Sequence, residues 1–240
     1  MIDHQMTYQK SAAYYDAIYS FKDYAHEAEL LHRIIQTHKR SVGNQLLEVA
    51  CGTGAHLKYL NAHYQIEGLD LSEDMLALAR QKHPTVPFHQ GDMRNFDLGR
   101  RFDGLICLFS SIGYMQTVSD LQMAIATMAR HIVPGGVLIV EPWFSPDQFV
   151  PGTLHGNMMV NTADLKICRM NVSEVQGRLS IMMMHHLIGT QAGVEHFVER
   201  HEMGLFTHAE YLEAFVAAHL QVTHDSNGLD DRGLYIGTPT

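Results

Sequence analysis

The stretch Gln45-Leu-Leu-Glu-Val-Ala-Cys-Gly-Thr-Gly54 joins a short, mostly apolar run to a turn that contains two glycines. An apolar run of this length, bounded by a turn, is typical of a parallel strand that is buried on both faces. Glycines after such a strand let the backbone approach a ligand, because no Cβ stands in the way. Ligands of open α/β sheets bind outside the carboxyl ends of the strands, near the reversal of strand order. We therefore expect a ligand site directly after residues 45–50.

The residues that follow predict an α/β fold, because strand-like runs and helical segments alternate along them. The runs are residues 65–69, 86–89, 102–109 and 137–140, and the helices between them include 72–81 and 120–131. Strands that alternate with helices form βαβ units, and these units build a doubly wound, mostly parallel sheet.

The pattern differs on either side of this alternating region. Residues 8–18 and 23–37 predict helices near the N-terminus. Strands of an antiparallel insertion are predicted at 166–172, 179–188 and 196–203, and closing strands at 220–224 and 233–238. Thr207 and Glu210 form the capping-box pattern that opens a helix before the closing strands. We interpret residues 1–240 as one domain with four parts: an N-terminal helical segment (1–40), a ligand-binding core (45–145), the antiparallel insertion (155–205) and a closing helix with strands (206–240).

The composition limits the classes of function. The chain has 240 residues, of which 46% are hydrophobic, and its formal charge is −9. An acidic chain is poorly suited to binding a phosphate backbone, which argues against a nucleic-acid partner. No apolar run approaches the ~20 residues of a membrane span, and three cysteines do not suggest a disulfide framework, so we expect a cytoplasmic protein.

His196 and His201 have the odd spacing that places them on opposite faces of a strand, so we expect no metal site.

The polar residues at the strand ends favour S-adenosylmethionine over a dinucleotide. A dinucleotide fingerprint needs a third glycine at the position of Leu57, and Glu48 places an acid within the strand. S-adenosylmethionine has a cationic methionine end and an adenosine, so carboxylates suit it. Asp70 closes the second strand, where its carboxylate can accept hydrogen bonds from both ribose hydroxyls. Asp92 closes the third strand, where it can accept from the adenine amino group while Met93 packs on the ring.

These motifs resemble those of the class I S-adenosylmethionine-dependent methyltransferases. The glycine turn, the acid at Asp70, Gly91-Asp-Met93 and Val133-Pro-Gly-Gly136 stand in family order. The resemblance covers residues 45–140 and implies a Rossmann-like fold with a seven-stranded sheet, and S-adenosylmethionine as the cofactor. We expect the cofactor to contact residues at the strand ends and in the N-terminal segment: Glu48, Ala50, Gly52, Gly54, Asp70, Leu71, Met75, Asp92, Met93, Leu108 and Tyr15.

A narrower resemblance extends over almost the whole chain. It is to the N,N-dimethyltransferases that finish 3-amino sugars such as desosamine and mycaminose on a nucleotide carrier. The matching pieces are Val49-Ala-Cys-Gly-Thr-Gly54, His56-Leu57, Gly91-Asp-Met-Arg94, Leu98-Gly-Arg-Arg-Phe102, Phe109-Ser-Ser-Ile-Gly113, Glu141-Pro-Trp143, Leu205-Phe-Thr207 and Arg232-Gly-Leu234. This resemblance implies that an aromatic segment with Tyr8, Tyr14 and Tyr15 covers the active site as a lid, that Arg232 binds phosphate, and that the chain forms a homodimer.

The function implied by this resemblance is N-methylation of a nucleotide-linked, dTDP-type amino deoxysugar by direct in-line transfer. Relatives can carry a histidine directly after the segment 109–113, close to the reacting amine, where this chain has Tyr114. A tyrosine with a pKa near 10 is a weak base, so we expect Tyr114 or Tyr8 to orient the amine. Orientation of this kind can supply ~7–11 kcal/mol. We expect the substrate to contact Ser110, Ser111, Glu141, Trp143 and Arg232.

Several alternatives stay open on the sequence alone. The acceptor could be another small molecule, such as a free amine, a quinone-like ring or another natural-product intermediate. A NAD-dependent oxidoreductase is disfavoured by Leu57, whereas a non-catalytic cofactor-binding module would keep the same glycines. Tyr114 and Tyr8 could be packing aromatics, Arg232 a surface ion pair and Glu141 a structural carboxylate.

Overall fold

The fold is built on two sheets, as seen in a computed structural model that describes residues 10–229 and 231–240. Within these residues the strands are β1 (Gln45–Val49), β2 (Gln65–Asp70), β3 (Phe88–Gln90), β4 (Phe102–Cys107), β5 (Ile132–Val140), β6 (Leu154–Asn161), β7 (Leu165–Gln176), β8 (Leu179–Thr190), β9 (Gly193–Gly204), β10 (Leu220–Asp225) and β11 (Leu234–Pro239). The helices are α1 (Tyr15–Ile18), α2 (Tyr24–His38), α3 (Leu57–Leu60), α4 (Glu73–Lys82), α5 (Val118–Arg130) and α6 (His208–Ala217).

The larger sheet has seven strands in the order β10-β11-β5-β4-β1-β2-β3. Strands β1 to β5 are parallel to one another, and β11 runs antiparallel to both β5 and β10. Helices α5 and α6 pack on one face of the sheet, and α2, α3 and α4 contribute to the core on the other face. The predicted doubly wound class I methyltransferase architecture is confirmed, and the strand order reverses between β1 and β4.

The smaller sheet is the predicted antiparallel insertion, with the order β6-β7-β8-β9. Strand β6 is at its edge and was not among the predicted strands, because Gly156 and Asn157 weaken its strand pattern. Burial alternates along β7, β8 and β9, so this sheet has a buried inner face and an exposed outer face. The inner face lies toward the carboxyl ends of the parallel strands, because β9 contacts the turn that follows β4.

Helix ends follow local hydrogen-bonding signals in the sequence. The Ser72 side chain accepts from the Met75 amide at the start of α4, and the predicted capping box of Thr207 and Glu210 opens α6. The N-terminal segment is less helical than predicted: of residues 10–23, a 3-10 turn (Ala12–Tyr14) and the single turn of α1 are helical. Among the residues that the structure describes, no helix is long and apolar enough to span a membrane.

The segment after β4 departs from the predicted strand 102–109. Phe109 and Ser110 have φ values of 52° and 57°, in the left-handed region, so the extended backbone ends at Cys107. The chain then forms a 3-10 turn, Ser111–Tyr114, directly beyond the carboxyl end of the sheet. This turn places Tyr114 where a ligand of the sheet would bind.

Candidate active site

A cavity of about 690 Å³ lies between the carboxyl ends of the parallel strands and the inner face of the smaller sheet. The N-terminal segment contributes Tyr15, Tyr19 and Lys22 to its wall. Eight of the eleven predicted cofactor residues line it, namely Tyr15, Ala50, Gly52, Asp70, Leu71, Met75, Asp92 and Met93. Four of the predicted catalytic and substrate residues do so as well, namely Ser111, Tyr114, Trp143 and Arg232. One continuous space therefore joins the glycine turn to the predicted phosphate partner.

The glycine turn holds one carboxylate at the edge of the cavity. The Gly52 amide donates to Asp70 Oδ2 at 2.7 Å, and the Ser72 amide donates to Asp70 Oδ1 at 2.8 Å. Burial raises the pKa of Asp70, and these two backbone hydrogen bonds oppose that rise. Each carboxylate oxygen keeps a further lone pair, so Asp70 can still accept two hydroxyl groups from a ligand.

The backbone of the turn is shaped for a ligand at Gly52 and for packing at Gly54. Ala50 and Gly52 have φ values of 58° and 55°, and a Cβ at Gly52 would meet no atom within 4 Å, so this position faces open space. A Cβ at Gly54 would lie 3.0 Å from the His83 ring. Gly54 therefore allows the turn to pack on His83, and it is not part of the cavity wall formed by the described residues.

Glu48 lies behind the turn and acts on the cavity indirectly. Its Oε1 is 3.1 Å from His56 Nδ1, and Glu27 Oε2 is 2.9 Å from His56 Nε2. Burial of His56 favours the neutral ring, but the two carboxylates outweigh it and raise the pKa of His56 to about 9. Lys22 completes the network with an ion pair to Glu27 at 2.8 Å. Glu48 thus links the glycine turn to the N-terminal segment through His56 and Glu27. Glu48 is not among the described residues that line the cavity.

The remaining cofactor predictions divide between the wall and the core. Asp92 lines the cavity and also accepts from Arg94 Nε at 3.0 and 3.1 Å, so a ligand would share this carboxylate with Arg94. Met93 lines the cavity beside it. Leu108 is 2% exposed and packs in the hydrophobic core. It is not among the described residues that line the cavity, so the structure does not place it where it was predicted to contact the cofactor.

Arg232 is held at the other end of the cavity by two of the predicted substrate residues. Its Nη1 donates to Ser110 Oγ at 2.9 Å, and its Nε is 3.8 Å from Glu141 Oε1. Glu141 Oε2 accepts from the Phe109 amide at 2.6 Å, and burial raises the pKa of Glu141 against the opposing effect of Arg232. Ser110 and Glu141 therefore hold Arg232 in place, although neither is among the described residues that line the cavity. The Arg232 guanidinium also lies within about 6 Å of the Trp143 ring centre. An arginine in this position suits a phosphate group.

Tyr114 faces the cavity from the turn after β4, and its hydroxyl lies 2.8 Å from His201 Nδ1. Tyr8, the other predicted catalytic residue, lies outside the described residues. Tyr14 packs against the hydrophobic cluster around Ile18 and is not among the wall residues described, whereas Tyr15 and Tyr19 are. Of the two tyrosines that the N-terminal segment contributes to the wall, Tyr15 was predicted and Tyr19 was not.

The inner face of the smaller sheet supplies wall residues that the sequence analysis missed. They occupy alternate positions of β7, β8 and β9 and are Arg169, Asn171, Ser173, Met182, Met184, His201 and Met203. The alternation was visible in the sequence, but it does not say which face meets a ligand. As predicted, His196 and His201 are on opposite faces of β9, exposed and buried respectively. No cluster of three metal-ligating side chains occurs in the described part of the chain.

Comparisons with known proteins identify the family. The profile of the methyltransferase domain family matches residues 46–136. The chain is 40% identical over 232 residues to dTDP-3-amino-3,6-dideoxy-alpha-D-glucopyranose N,N-dimethyltransferase of Streptomyces fradiae, covering 95% of this chain and 90% of the relative. It is also 40% identical over 220 residues to dTDP-3-amino-3,4,6-trideoxy-alpha-D-glucopyranose N,N-dimethyltransferase of Streptomyces venezuelae, covering 91% and 92% of the two chains.

Solved structures agree with this result. The crystal structure of Streptomyces venezuelae DesVI superposes with a TM-score of 0.88 at 38% identity, covering 100% of both chains. CalS10, an amino pentose methyltransferase of Micromonospora echinaspora solved with bound S-adenosylmethionine, gives a TM-score of 0.86 at 38% identity, covering 97% of both chains. The predicted cofactor and enzyme class are thereby confirmed. The chain belongs to the S-adenosylmethionine-dependent methyltransferases, in the family of the amino-sugar N,N-dimethyltransferases.

Proposed function

We propose that this enzyme methylates the amino group of a nucleotide-linked amino deoxysugar, with S-adenosylmethionine as the methyl donor. One observation carries the proposal: a single cavity has the Asp70 carboxylate and the glycine turn at one end and the Arg232 guanidinium at the other. These ends suit a nucleoside with ribose hydroxyls and a diphosphate, respectively. The relatives that share 40% identity over most of the chain are named for dTDP-amino sugars.

The residues at the first end fit S-adenosylmethionine. Gly52 leaves open space beside the backbone, Asp70 keeps acceptor capacity for two hydroxyls, and Tyr15 and Met93 offer apolar surface beside them. Asp92, which also lines this end, adds a carboxylate that suits a cationic ligand. When bound, the cofactor supplies an electrophilic methyl group on a sulfonium sulfur.

The other residues orient the acceptor. Arg232 binds the diphosphate, and Ser110 and Glu141 fix the guanidinium in place. Tyr114 then holds the amino group near the centre of the cavity. The amine must be neutral to attack, and the proton released on transfer passes to solvent, so no side chain needs to act as a base. Holding the reacting atoms in line is the main catalytic contribution, of ~7–11 kcal/mol.

Mass spectrometry of the reaction tests this function. We expect a dTDP-3-amino-3,6-dideoxyhexose incubated with the protein and S-adenosylmethionine to gain one or two methyl groups. Asp70→Ala should abolish the gain and the binding of S-adenosylmethionine. The matched control is Asp74→Ala, because Asp74 is an exposed carboxylate in the first turn of the adjacent α4. If the sugar stays unmodified while S-adenosylmethionine binds, the acceptor is another small molecule, such as a free amine.

We also propose that the protein forms a homodimer through the outer face of the smaller sheet. This face carries an apolar surface at the centre of β7, β8 and β9, formed by Met170, Val172, Met183, Leu187 and Val198, each between 36% and 53% exposed. An exposed apolar surface of this kind marks an interaction site, and a twofold dimer would cover it with the same surface of a second copy.

The three free cysteines support a cytoplasmic location. The net charge of −9 supports the absence of a nucleic-acid partner.

A further inference from the structure

We propose that Phe144, with Trp143 and Phe149, forms an aromatic platform on which the nucleotide base of the substrate stacks. This role rests on the proposed function, because a base is present only if the acceptor sugar is linked to a nucleotide. All three side chains line the cavity and lie in the segment that follows β5. Phe144 and Phe149 were not among the predicted substrate residues.

The strand order places the aromatic platform at the end of the cavity away from the cofactor. Asp92, Asp70 and Gly52 follow β3, β2 and β1, which form one side of the larger sheet. Phe144 follows β5, and Arg232 precedes β11, the antiparallel neighbour of β5. At the usual spacing of neighbouring strands, β2 and β5 are about 14 Å apart. A nucleotide sugar that directs its amine to the methyl donor and its diphosphate to Arg232 therefore carries its base toward the β5 side, because the diphosphate separates the sugar from the base.

The Phe144 ring offers a free aromatic surface at this end. It is 37% exposed although it lines a cavity, and its centre lies 4.7 Å from the Trp143 ring centre and 6.2 Å from the Phe149 ring centre. The Arg232 guanidinium lies 6.0 Å from the Phe144 ring centre, so a group that stacks on Phe144 sits beside the phosphate partner. A planar base suits this surface, because stacking uses the face of the base and needs no hydrogen bond.

The aromatic platform is held in place by contacts within the protein. Trp143 Nε1–H donates to Ser180 Oγ on β8 at 2.9 Å. The Phe149 amide donates to the Ser145 carbonyl oxygen at 3.1 Å, so the chain turns back after Phe144 and brings the Phe149 ring toward it. Rings that are already fixed lose little conformational freedom when a ligand stacks on them, and this favours affinity.

Binding of dTDP and of inorganic pyrophosphate tests the aromatic platform without methyl transfer. Trp143 is the single tryptophan of the 240 residues, so its fluorescence reports on this site alone. We expect dTDP to change Trp143 emission and, in calorimetry, to bind more tightly than pyrophosphate. Phe144→Leu keeps apolar area and removes the aromatic face, so it should weaken dTDP binding about 5- to 30-fold and leave pyrophosphate binding unchanged. Phe144→Tyr, which keeps the ring, should retain the wild-type affinity for dTDP.

Tyr59→Leu is the matched control, because Tyr59 is exposed to the same extent as Phe144 and is not among the described wall residues. It should leave both affinities unchanged. Equal weakening of dTDP and pyrophosphate in Phe144→Leu would show that Phe144 acts only through the phosphate site, and unchanged dTDP binding would place the base elsewhere. Either result overturns the aromatic platform while the proposed function stands. A wild type that binds S-adenosylmethionine but neither dTDP nor pyrophosphate would contradict the proposed function itself, and the aromatic platform with it.

Discussion

At the scale of single residues, burial separates the carboxylates of the site by role. Asp70 lines the cavity and keeps lone pairs for a ligand. Glu48 and Glu141 are 3% and 2% exposed, and each is committed to a protein partner, His56 and Arg232 respectively. All three were identified as site residues, because acids within or directly after predicted strands are visible in the sequence. Whether an acid touches the ligand or supports a neighbour depends on side-chain packing, which the sequence pattern does not show.

The pKa of His56 predicts a pH dependence of folding stability. This pKa is raised from 6.5 to about 9 in the folded chain, because Glu27 and Glu48 hold the protonated ring. The stabilisation is therefore complete below about pH 6.5 and is lost as the pH rises through 9, a change of roughly 3 kcal/mol for this group. We expect the urea midpoint to fall over this range in the wild type. In His56→Gln the fall should be much smaller, and an equal fall in both proteins would contradict the assignment.

Arg232 predicts a defect in substrate binding. Removing a guanidinium that contacts phosphate through charged hydrogen bonds costs ~1.5–3 kcal/mol, or about 10- to 150-fold in affinity. We expect Arg232→Ala to raise KM for the nucleotide sugar on this scale with a smaller change in kcat, and Arg232→Lys to recover part of the loss. Arg101→Ala is the matched control, because Arg101 is exposed and is not among the described wall residues. A loss of kcat alone in Arg232→Ala would place Arg232 away from the phosphate.

At the scale of elements, the alternating strands and helices were predictable and the shape of the substrate end was not. Apolar runs such as 45–50 define buried strands locally, and the capping residues Ser72 and Thr207 define helix starts. The backbone is left-handed at Phe109 and Ser110, although neither residue is a glycine. The sequence pattern therefore contains no sign that β4 ends at Cys107, and the predicted strand 102–109 was two residues too long. Likewise, the inner face of β7–β9 lines the cavity only because the smaller sheet packs near the carboxyl ends of the larger sheet. This is a contact between residues far apart in the sequence, so local patterns do not show it.

The contacts of the N-terminal segment predict that its position affects the binding of the cofactor. Asp16 in α1 accepts from Thr53 of the glycine turn at 2.6 Å and pairs with Lys82 at the end of α4, also at 2.6 Å. We expect Asp16→Ala to weaken S-adenosylmethionine binding a few-fold in calorimetry, because Tyr15 and Tyr19 would no longer be fixed over the cavity. Thr53→Val should weaken binding in the same way. The exposed Glu29→Ala in α2 should leave it unchanged, and a normal affinity in Asp16→Ala would show that the segment is held by its other contacts.

At the scale of the whole molecule, the two faces of the smaller sheet differ in burial and in the residues that they carry. Its inner face lines the cavity with Arg169, Asn171 and His201, and the segment around Ile18 packs against the same face. Its outer face exposes apolar side chains on the adjacent positions of the same strands. An insertion of this kind can therefore shape the substrate end of the cavity and bury its other face in a partner copy, without any change to the parallel sheet.

This division predicts that one substitution on the outer face dissociates the proposed dimer. Leu187 is 47% exposed at the centre of β8, beside Cys168 and His196 on the neighbouring strands. A lysine there would bury two charges at a twofold interface, where each would lack a counter-charge. We expect Leu187→Lys to halve the mass measured by light scattering at micromolar concentration. Val216→Lys is the control, because Val216 is an equally apolar, exposed residue on α6 in a different part of the molecule. A wild type that is already monomeric, or a dimer that survives Leu187→Lys and dissociates in Val216→Lys, would move the interface away from the smaller sheet.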